Sequence, residues 1–232
     1  SETGSSELGR LLPPLFEYQR LVYGEANSLE VARGDQERRI AELSRRLGGH
    51  LDHQVIRCVG RLGRRGGLHQ AQIERFASQA GDSPYRADAL QALGNIAVRP
   101  DSALRILVLA AADSSARVRR AAAVGLGALG PVAAPTMPKI LRLLDDADVS
   151  VRVSAIRASV AVDRTHPSLV QALLRRLESK AGLEQREACR ALARIGPRAH
   201  SAIPHLQRVG AIGSGRGTQS AALAALDTVD GN

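Results

Sequence analysis

Histidine, cysteine and acidic side chains are the groups best able to carry catalysis or bind a metal, and their densest cluster lies near residue 50. His50 and His53 are three residues apart, with Asp52 between them and Cys58 further on. A structural zinc site needs a second ligand pair at matching spacing, and none follows. No nucleophile–base pair and no Gly-x-Ser-x-Gly turn is recognisable. We therefore predict no catalytic residues, no metal and no cofactor, and expect that the chain is not an enzyme.

Arginine dominates the remaining chemistry. Of 32 basic residues only Lys139 and Lys180 are lysines, and the formal net charge is +9. Arginine grips carboxylates and phosphates through two parallel hydrogen bonds, so the composition favours an anionic partner. A GC-rich, bacterial genome would raise the arginine content without any functional meaning. The positions of the arginines therefore matter more than their number.

A repeat of 33 to 34 residues sets those positions and runs through most of the chain. In each copy a small or apolar residue is followed by further small or apolar residues four and seven positions later, which is the spacing of one helical stripe. The opening residues are Val55, Ala89, Ala122, Ala155, Ala188 and Ala222.

This spacing predicts six second helices, each preceded by a shorter amphipathic first helix. The second helices are expected at roughly 52–63, 85–97, 118–129, 150–162, 185–195 and 219–229. A fixed period of this length is typical of a stacked array, in which neighbouring helix pairs bury a continuous core. The array predicts an all-α fold that acts through an extended surface.

The clearest copy of the motif is Asp113 to Pro131, with a loop acid, then Val-Arg, then Ala and Leu-Gly. It resembles the HEAT-repeat family, in particular the short bacterial repeats related to phycobilisome lyases. The resemblance implies a right-handed α-solenoid of about six helix pairs. It also implies that a loop acid and an arginine tie neighbouring repeats together. The matching pairs are Asp113 with Arg119, Asp148 with Arg152, and Glu184 with Arg186.

The N-terminal segment lies outside the repeat and holds three of the five aromatic residues, Phe16, Tyr18 and Tyr23. We expect a helix there that caps the first repeat. An aromatic patch for a partner or for self-association is the alternative. The predicted organisation is a disordered or vector-derived tail at 1–8, an N-terminal helix or cap at 9–33, and the solenoid at 34–232.

By the same resemblance, the second helices line a concave face. Two basic patches there flank an apolar saddle, an arrangement that suits a protein partner with an acidic or mixed acidic and apolar surface. An ordinary solvated face, with arginine stems lying on alanines, is the competing interpretation. The predicted partner-binding residues are Arg57, Arg61, Val124, Ala128, Arg157, Arg190 and Arg194.

These observations favour a non-catalytic scaffold or adaptor that binds a protein. Binding to the nucleic-acid backbone is a second hypothesis, although the absence of Trp disfavours base stacking. A bilin-lyase-like enzyme subunit is a third, suggested by the repeat type alone. We predict no membrane span and a cytoplasmic location, with Cys58 and Cys189 reduced because they lie several repeats apart. Self-association stays open.

Overall fold

The computed structural model describes residues 70–79 and 84–231, together with residues 56, 60 and 61. The regular elements in this part of the chain are all helical. The first helices are α1 (Gln70–Ala77), α3 (Pro100–Ala110), α5 (Met137–Leu143), α7 (Leu169–Leu177) and α9 (Ile203–Ile212). The second helices are α2 (Pro84–Ile96), α4 (Ala116–Leu129), α6 (Val149–Asp163), α8 (Gly182–Ile195) and α10 (Arg216–Val229).

Two 3-10 segments, Gly130–Thr136 and Gly196–Ala202, join α4 to α5 and α8 to α9. The predicted cap at 9–33 with Phe16, Tyr18 and Tyr23 lies outside the described residues, as do Arg57 and Cys58.

The described elements form five consecutive helix pairs. Each second helix packs against the second helices before and after it, so that α4 lies between α2 and α6, and α8 lies between α6 and α10. All five begin and end within three residues of the bounds predicted from the apolar spacing. The predicted all-α solenoid is therefore confirmed.

Small residues mark the points where neighbouring second helices cross. A Cβ atom built on Gly94 would lie 2.6 Å from the Cα of Gly125, and one built on Gly127 would lie 3.0 Å from the Cα of Ala158. Such close backbone approach has no room for a side chain. Around these crossings, larger apolar side chains such as Leu93 and Leu126 are completely buried. The core thus combines small contact residues with aliphatic filling.

The predicted helix ends are confirmed at two glycines. Gly130 and Gly196 follow α4 and α8 with φ angles of 61° and 69°, a left-handed conformation that glycine adopts without steric cost. Pro138 and Pro204 are the second residues of α5 and α9, where a missing amide hydrogen is harmless. Pro167 lies two residues before α7 begins.

Ion pairs tie neighbouring repeats together, as the sequence predicts for the loop acids and arginines. Arg119 Nε and Nη2 donate to the two carboxylate oxygens of Asp146, at 2.7 and 2.8 Å. Its Nη1 donates to the backbone carbonyls of Asp113 and Ser114. The arginine therefore contacts its own loop through the backbone and the loop of the next repeat through a carboxylate. Asp113 and Arg119 both link neighbouring repeats, as predicted, and each pairs with a residue of an adjacent repeat.

At the neighbouring junctions, an arginine of one repeat likewise pairs with a carboxylate of the next repeat. Arg86 Nη1 lies 2.8 Å from Asp113 Oδ2, and Arg152 Nη2 lies 2.9 Å from Glu184 Oε2. Asp148 caps α6 by accepting hydrogen bonds from the amides of residues 150 and 151. Glu184 links neighbouring repeats, because it is fully buried between Arg152 and groups on its own repeat.

At the last junction, between α8 and α10, the described residues form no ion pair of this kind. Gln185 stands where the other repeats have arginine, and its Nε2 donates to the carbonyl of Leu177 at 2.8 Å. Its Oε1 accepts from the amide and the hydroxyl of Ser214, at 3.1 and 2.8 Å. A neutral amide therefore reproduces the geometry of the arginine link without its charge.

Acid is expected to weaken these junctions. Burial alone would raise the pKa of Glu184, but hydrogen bonds from Arg152 and Ser179 and the charges of Arg152 and Arg176 lower it. The hydrogen bond from Arg119 is the main cause of the lowered pKa of Asp146. A carboxyl whose pKa is lower in the folded state contributes stability above its ordinary pKa and loses it as the pH falls.

We therefore expect the melting temperature to be steady between pH 7 and 5 and to fall progressively below about pH 4.5. Circular dichroism melts across this range measure it. The double variant Asp146→Asn with Glu184→Gln should have a lower melting temperature at pH 7, and this temperature should decline less steeply as the pH falls. An equally steep decline in the variant would show that other carboxyls dominate.

One continuous helical stretch, Ala116–Leu143, is long and apolar enough to be compared with a membrane span. It comprises α4, a 3-10 segment and α5, with the break at Gly130. Val118, Ala122 and Leu126 in this stretch belong to the core formed with neighbouring helices. A core helix often meets the same criteria, so the stretch is only weak evidence against the prediction of no span.

Cys189 is a free, completely buried thiol on α8. Burial raises its pKa to about 11, which keeps the reactive thiolate scarce at neutral pH. This agrees with the prediction of a reduced, buried cysteine at this position.

Candidate partner-binding surface

Two rows of side chains cross the second helices at intervals of 33 residues. They share an orientation because each row repeats the same helical position in successive repeats. We call these two rows, with Arg61 and Arg120, the second-helix face. The first row is Gln91, Val124, Arg157 and Arg190, and the second is Asn95, Ala128, Ala161 and Arg194.

At its C-terminal end, the second-helix face contains a cleft of about 570 Å³ between α6 and α8. Ile156, Val160, Ala191 and Ala193 form its apolar wall. Its charged groups are Arg157, Glu187, Arg190 and Arg194. We call it the C-terminal cleft. Three predicted partner-binding arginines from two different repeats are therefore brought together.

Glu187 holds two of these arginines in place. Its Oε2 accepts from Arg157 Nε at 2.9 Å, and its Oε1 accepts from Arg190 Nη1 at 2.7 Å. The Glu187 side chain is 6% exposed, whereas those of Arg157 and Arg190 are 59% and 58% exposed. The hydrogen bond from Arg157, and then the nearby positive charges, lower the pKa of Glu187 despite its burial. A buried carboxylate thus orients two guanidinium groups toward the cleft.

Arg194 completes the group one helical turn beyond Arg190. It is exposed and lines the same cleft. Within the described part of the chain it makes no hydrogen bond or ion pair. Three guanidinium groups and a single carboxylate therefore line the C-terminal cleft, which leaves it positively charged.

A second cleft of about 380 Å³ lies at the other end of the second-helix face. It is lined by Arg61 and Arg120, together with Asp88, Gln91 and Asn95. Asp88 and Glu187 are three repeats apart, at the same position of the repeat. Each cleft thus combines one acidic residue with at least two arginines.

Between the clefts the second-helix face is apolar. Val124 is 40% exposed, and the alanines at 128 and 161 are exposed beside it. These three exposed residues occupy the positions at which the sequence predicts an apolar saddle. A solvated valine flanked by alanines offers a small contact area for an apolar side chain.

Sequence reasoning missed Glu187 and Arg120. Glu187 lies three residues before Arg190 on α8, and this helical spacing could have indicated the pair. Arg120 is on α4, one residue after the junction arginine. No metal-binding group of three or more His, Cys, Asp or Glu side chains occurs among the described residues.

No protein-family model and no curated protein matches the sequence. Solved structures of repeat proteins do match. An engineered protein from the Northeast Structural Genomics Consortium has a TM-score of 0.57 at 21% identity, covering 93% of this chain and 97% of its own. A set of computationally designed armadillo repeat proteins for modular peptide recognition has a TM-score of 0.58 at 17% identity, covering 91% and 98%.

A designed armadillo repeat protein in complex with the peptide (KR)4 matches with a TM-score of 0.59 at 16% identity, covering 92% of this chain and 98% of that one. Identities this low show the helical repeat fold alone. They do not distinguish HEAT repeats from armadillo repeats, so the resemblance to phycobilisome-lyase repeats stays a prediction.

Proposed function

We propose that this chain is a non-catalytic scaffold that binds an acidic segment of a protein partner along its second-helix face. The C-terminal cleft carries the proposal, because Arg157, Arg190 and Arg194 converge there around one carboxylate that is already paired. Exposed guanidinium groups with free donors favour an anionic ligand. The proposal includes the HEAT-type repeat, the domain bounds given above and a cytoplasmic location.

The layout of the face supports an extended segment as the ligand. Neighbouring helices pack about 10 Å apart, and an extended chain advances about 3.3 Å per residue, so roughly three residues cross each repeat. A segment running from Arg61 to Arg194 would meet arginines at both ends and Val124 near its middle. An acidic segment with an apolar centre matches this order.

The designed armadillo protein that holds (KR)4 supports this mode of binding for the fold. Its ligand is basic, whereas the clefts here contain more arginines than acids. The same stacking of helices with the opposite sign of charge should therefore select an acidic peptide.

Anisotropy of labelled peptides tests the proposal. We expect a twelve-residue peptide with acidic ends and an apolar centre to bind, and (KR)4 not to bind. The triple variant Arg157→Glu, Arg190→Glu and Arg194→Glu should lose binding at least about 100-fold, because charged hydrogen bonds contribute about 1.5–3 kcal/mol each.

The matched control is Arg105→Glu, Arg142→Glu and Arg208→Glu. These exposed arginines lie on the first helices α3, α5 and α9, and their replacement changes the net charge equally. Equal losses in both triple variants would show that only overall charge matters. Duplex DNA that binds more tightly than the acidic peptide, with a steep dependence on salt, would favour a nucleic-acid function instead.

A further inference from the structure

The arginines of the C-terminal cleft have N–H donors that are not used in their ion pairs with Glu187. Arg157 uses its Nε and Arg190 uses one Nη1 in binding Glu187. A guanidinium has five N–H donors. Both terminal amino groups of Arg157, and the Nε and Nη2 of Arg190, are therefore not used in binding Glu187. Arg194 adds a third fork beside them.

The charge in the cleft is larger than one carboxylate can balance. Three arginines and Glu187 sum to a local charge of +2. A glutamate or aspartate of a partner carries one negative charge, whereas a phosphate monoester carries about 1.5 to 2 at pH 7 and presents three acceptor oxygens. Three guanidinium groups that line one cleft match the second ligand better.

We propose that the C-terminal cleft binds a phosphorylated serine or threonine of the partner segment. This inference rests on the proposed function and names the anchoring group of the ligand. Arg190 and Arg194 on α8 and Arg157 on α6 would donate to the phosphate oxygens, and the aliphatic wall at Ile156 and Val160 would face the rest of the phosphorylated residue.

Glu187 acts here as a positioning residue. Because it is buried and both its oxygens accept hydrogen bonds from arginine, its charge is shielded from the cleft while the two guanidinium groups are held still. Holding flexible side chains before the ligand arrives reduces the entropy lost on binding. A buried carboxylate that is already paired with two arginines is therefore compatible with an anionic ligand in the same cleft.

A single phosphate fits better than a nucleic-acid backbone. A backbone carries a charge at every nucleotide and needs cations along its path. The second-helix face instead changes to Val124, Ala128 and Ala161 immediately beside the C-terminal cleft. The volume of the C-terminal cleft, about 570 Å³, lies within the range of sites for small ligands and single side chains.

The test uses one twelve-residue peptide in three forms, with serine, phosphoserine or glutamate at the position that faces the C-terminal cleft. We expect phosphoserine to bind at least about tenfold more tightly than glutamate, since it gains further charged hydrogen bonds. Arg194→Ala should remove most of this preference, Arg194→Lys should keep part of it because a point charge replaces the fork, and the exposed control Arg142→Ala should retain it.

Inorganic phosphate supplies a probe that does not depend on peptide sequence. It should raise the melting temperature of the wild type saturably, with little effect on Arg194→Ala, and acetate at equal ionic strength should have little effect on either. Glu187→Gln should weaken phosphate binding although it removes a negative charge, which distinguishes a positioning residue from simple repulsion.

The outcomes separate the two proposals. Equal binding of the phosphoserine and glutamate peptides would overturn the phosphate inference and leave the acidic-segment proposal standing. Saturable phosphate binding that Arg194→Ala abolishes, with no binding of any peptide, would support the phosphate site and contradict the scaffold function. A phosphoserine preference that survives Arg194→Ala would remove the assignment to this cleft.

Discussion

Replacing Glu184 by alanine is expected to destabilise the solenoid by about 3–5 kcal/mol, the range for breaking a buried ion pair. Glu184 is fully buried. It accepts hydrogen bonds from Arg152 at 3.0 and 2.9 Å, and from the Ser179 hydroxyl at 2.8 Å. Arg176 Nη1 lies 3.3 Å from its Oε1. Removing the carboxylate leaves two half-buried guanidinium groups without their shared counter-ion.

The measurement is the midpoint of urea unfolding followed by circular dichroism. Asp145→Ala is the matched control, because Asp145 also pairs with Arg176 but is 52% exposed. Exposed pairs contribute about 0–1 kcal/mol, so the control should move the midpoint little. Similar shifts in the two variants would mean that the burial of Glu184 does not determine how much it contributes to stability.

Replacing Gly94 by alanine is expected to cost about 1–3 kcal/mol, as overpacking does in a filled core. In an isolated helix the same change would stabilise by up to about 1 kcal/mol, because alanine is the better helix former. In α2 the new Cβ would lie 2.6 Å from the Cα of Gly125 and would collide with the backbone of α4. The collision involves backbone, so a side-chain rotation cannot relieve it.

Gly217→Ala is the control for this substitution. Gly217 also lies in a helix, α10, and a Cβ there would approach only Arg186 Nη1, at 3.5 Å. Thermal melts should show Gly217→Ala as neutral or slightly stabilising and Gly94→Ala as clearly destabilising. A Gly94→Ala protein as stable as the wild type would show that α2 and α4 can separate at little cost.

The fold was predictable because every second helix repeats the same apolar spacing, with the small residue at Ala122 or Ala155 recurring at a fixed interval. The role of loop acids and arginines in tying neighbouring repeats together was also predictable, but their individual partners were not, since stacking brings Arg119 to Asp146 one repeat later. Pairing across a stack depends on how far each loop advances, which periodicity alone does not reveal.

The candidate surface was partly predictable for the same reason. The row that contains Arg157 and Arg190 follows directly from the repeat, and the structure places both beside one cleft. The repeat does not reveal that Glu187 accepts hydrogen bonds from both arginines. The charge available to a partner depends on this buried residue, which belongs to neither exposed row.

The direction of the junctions has a consequence for how such an array can change length. At Arg86, Arg119 and Arg152 the guanidinium belongs to one repeat and the carboxylate to the next, so these three junctions have the same polarity along the chain. Duplicating or deleting one whole repeat within this stretch would regenerate a complementary junction at the new boundary. The neutral contact of Gln185 with Ser214 lacks that interchangeability. The ionic stretch is therefore the part of the molecule in which gene duplication could lengthen the second-helix face without redesigning its contacts.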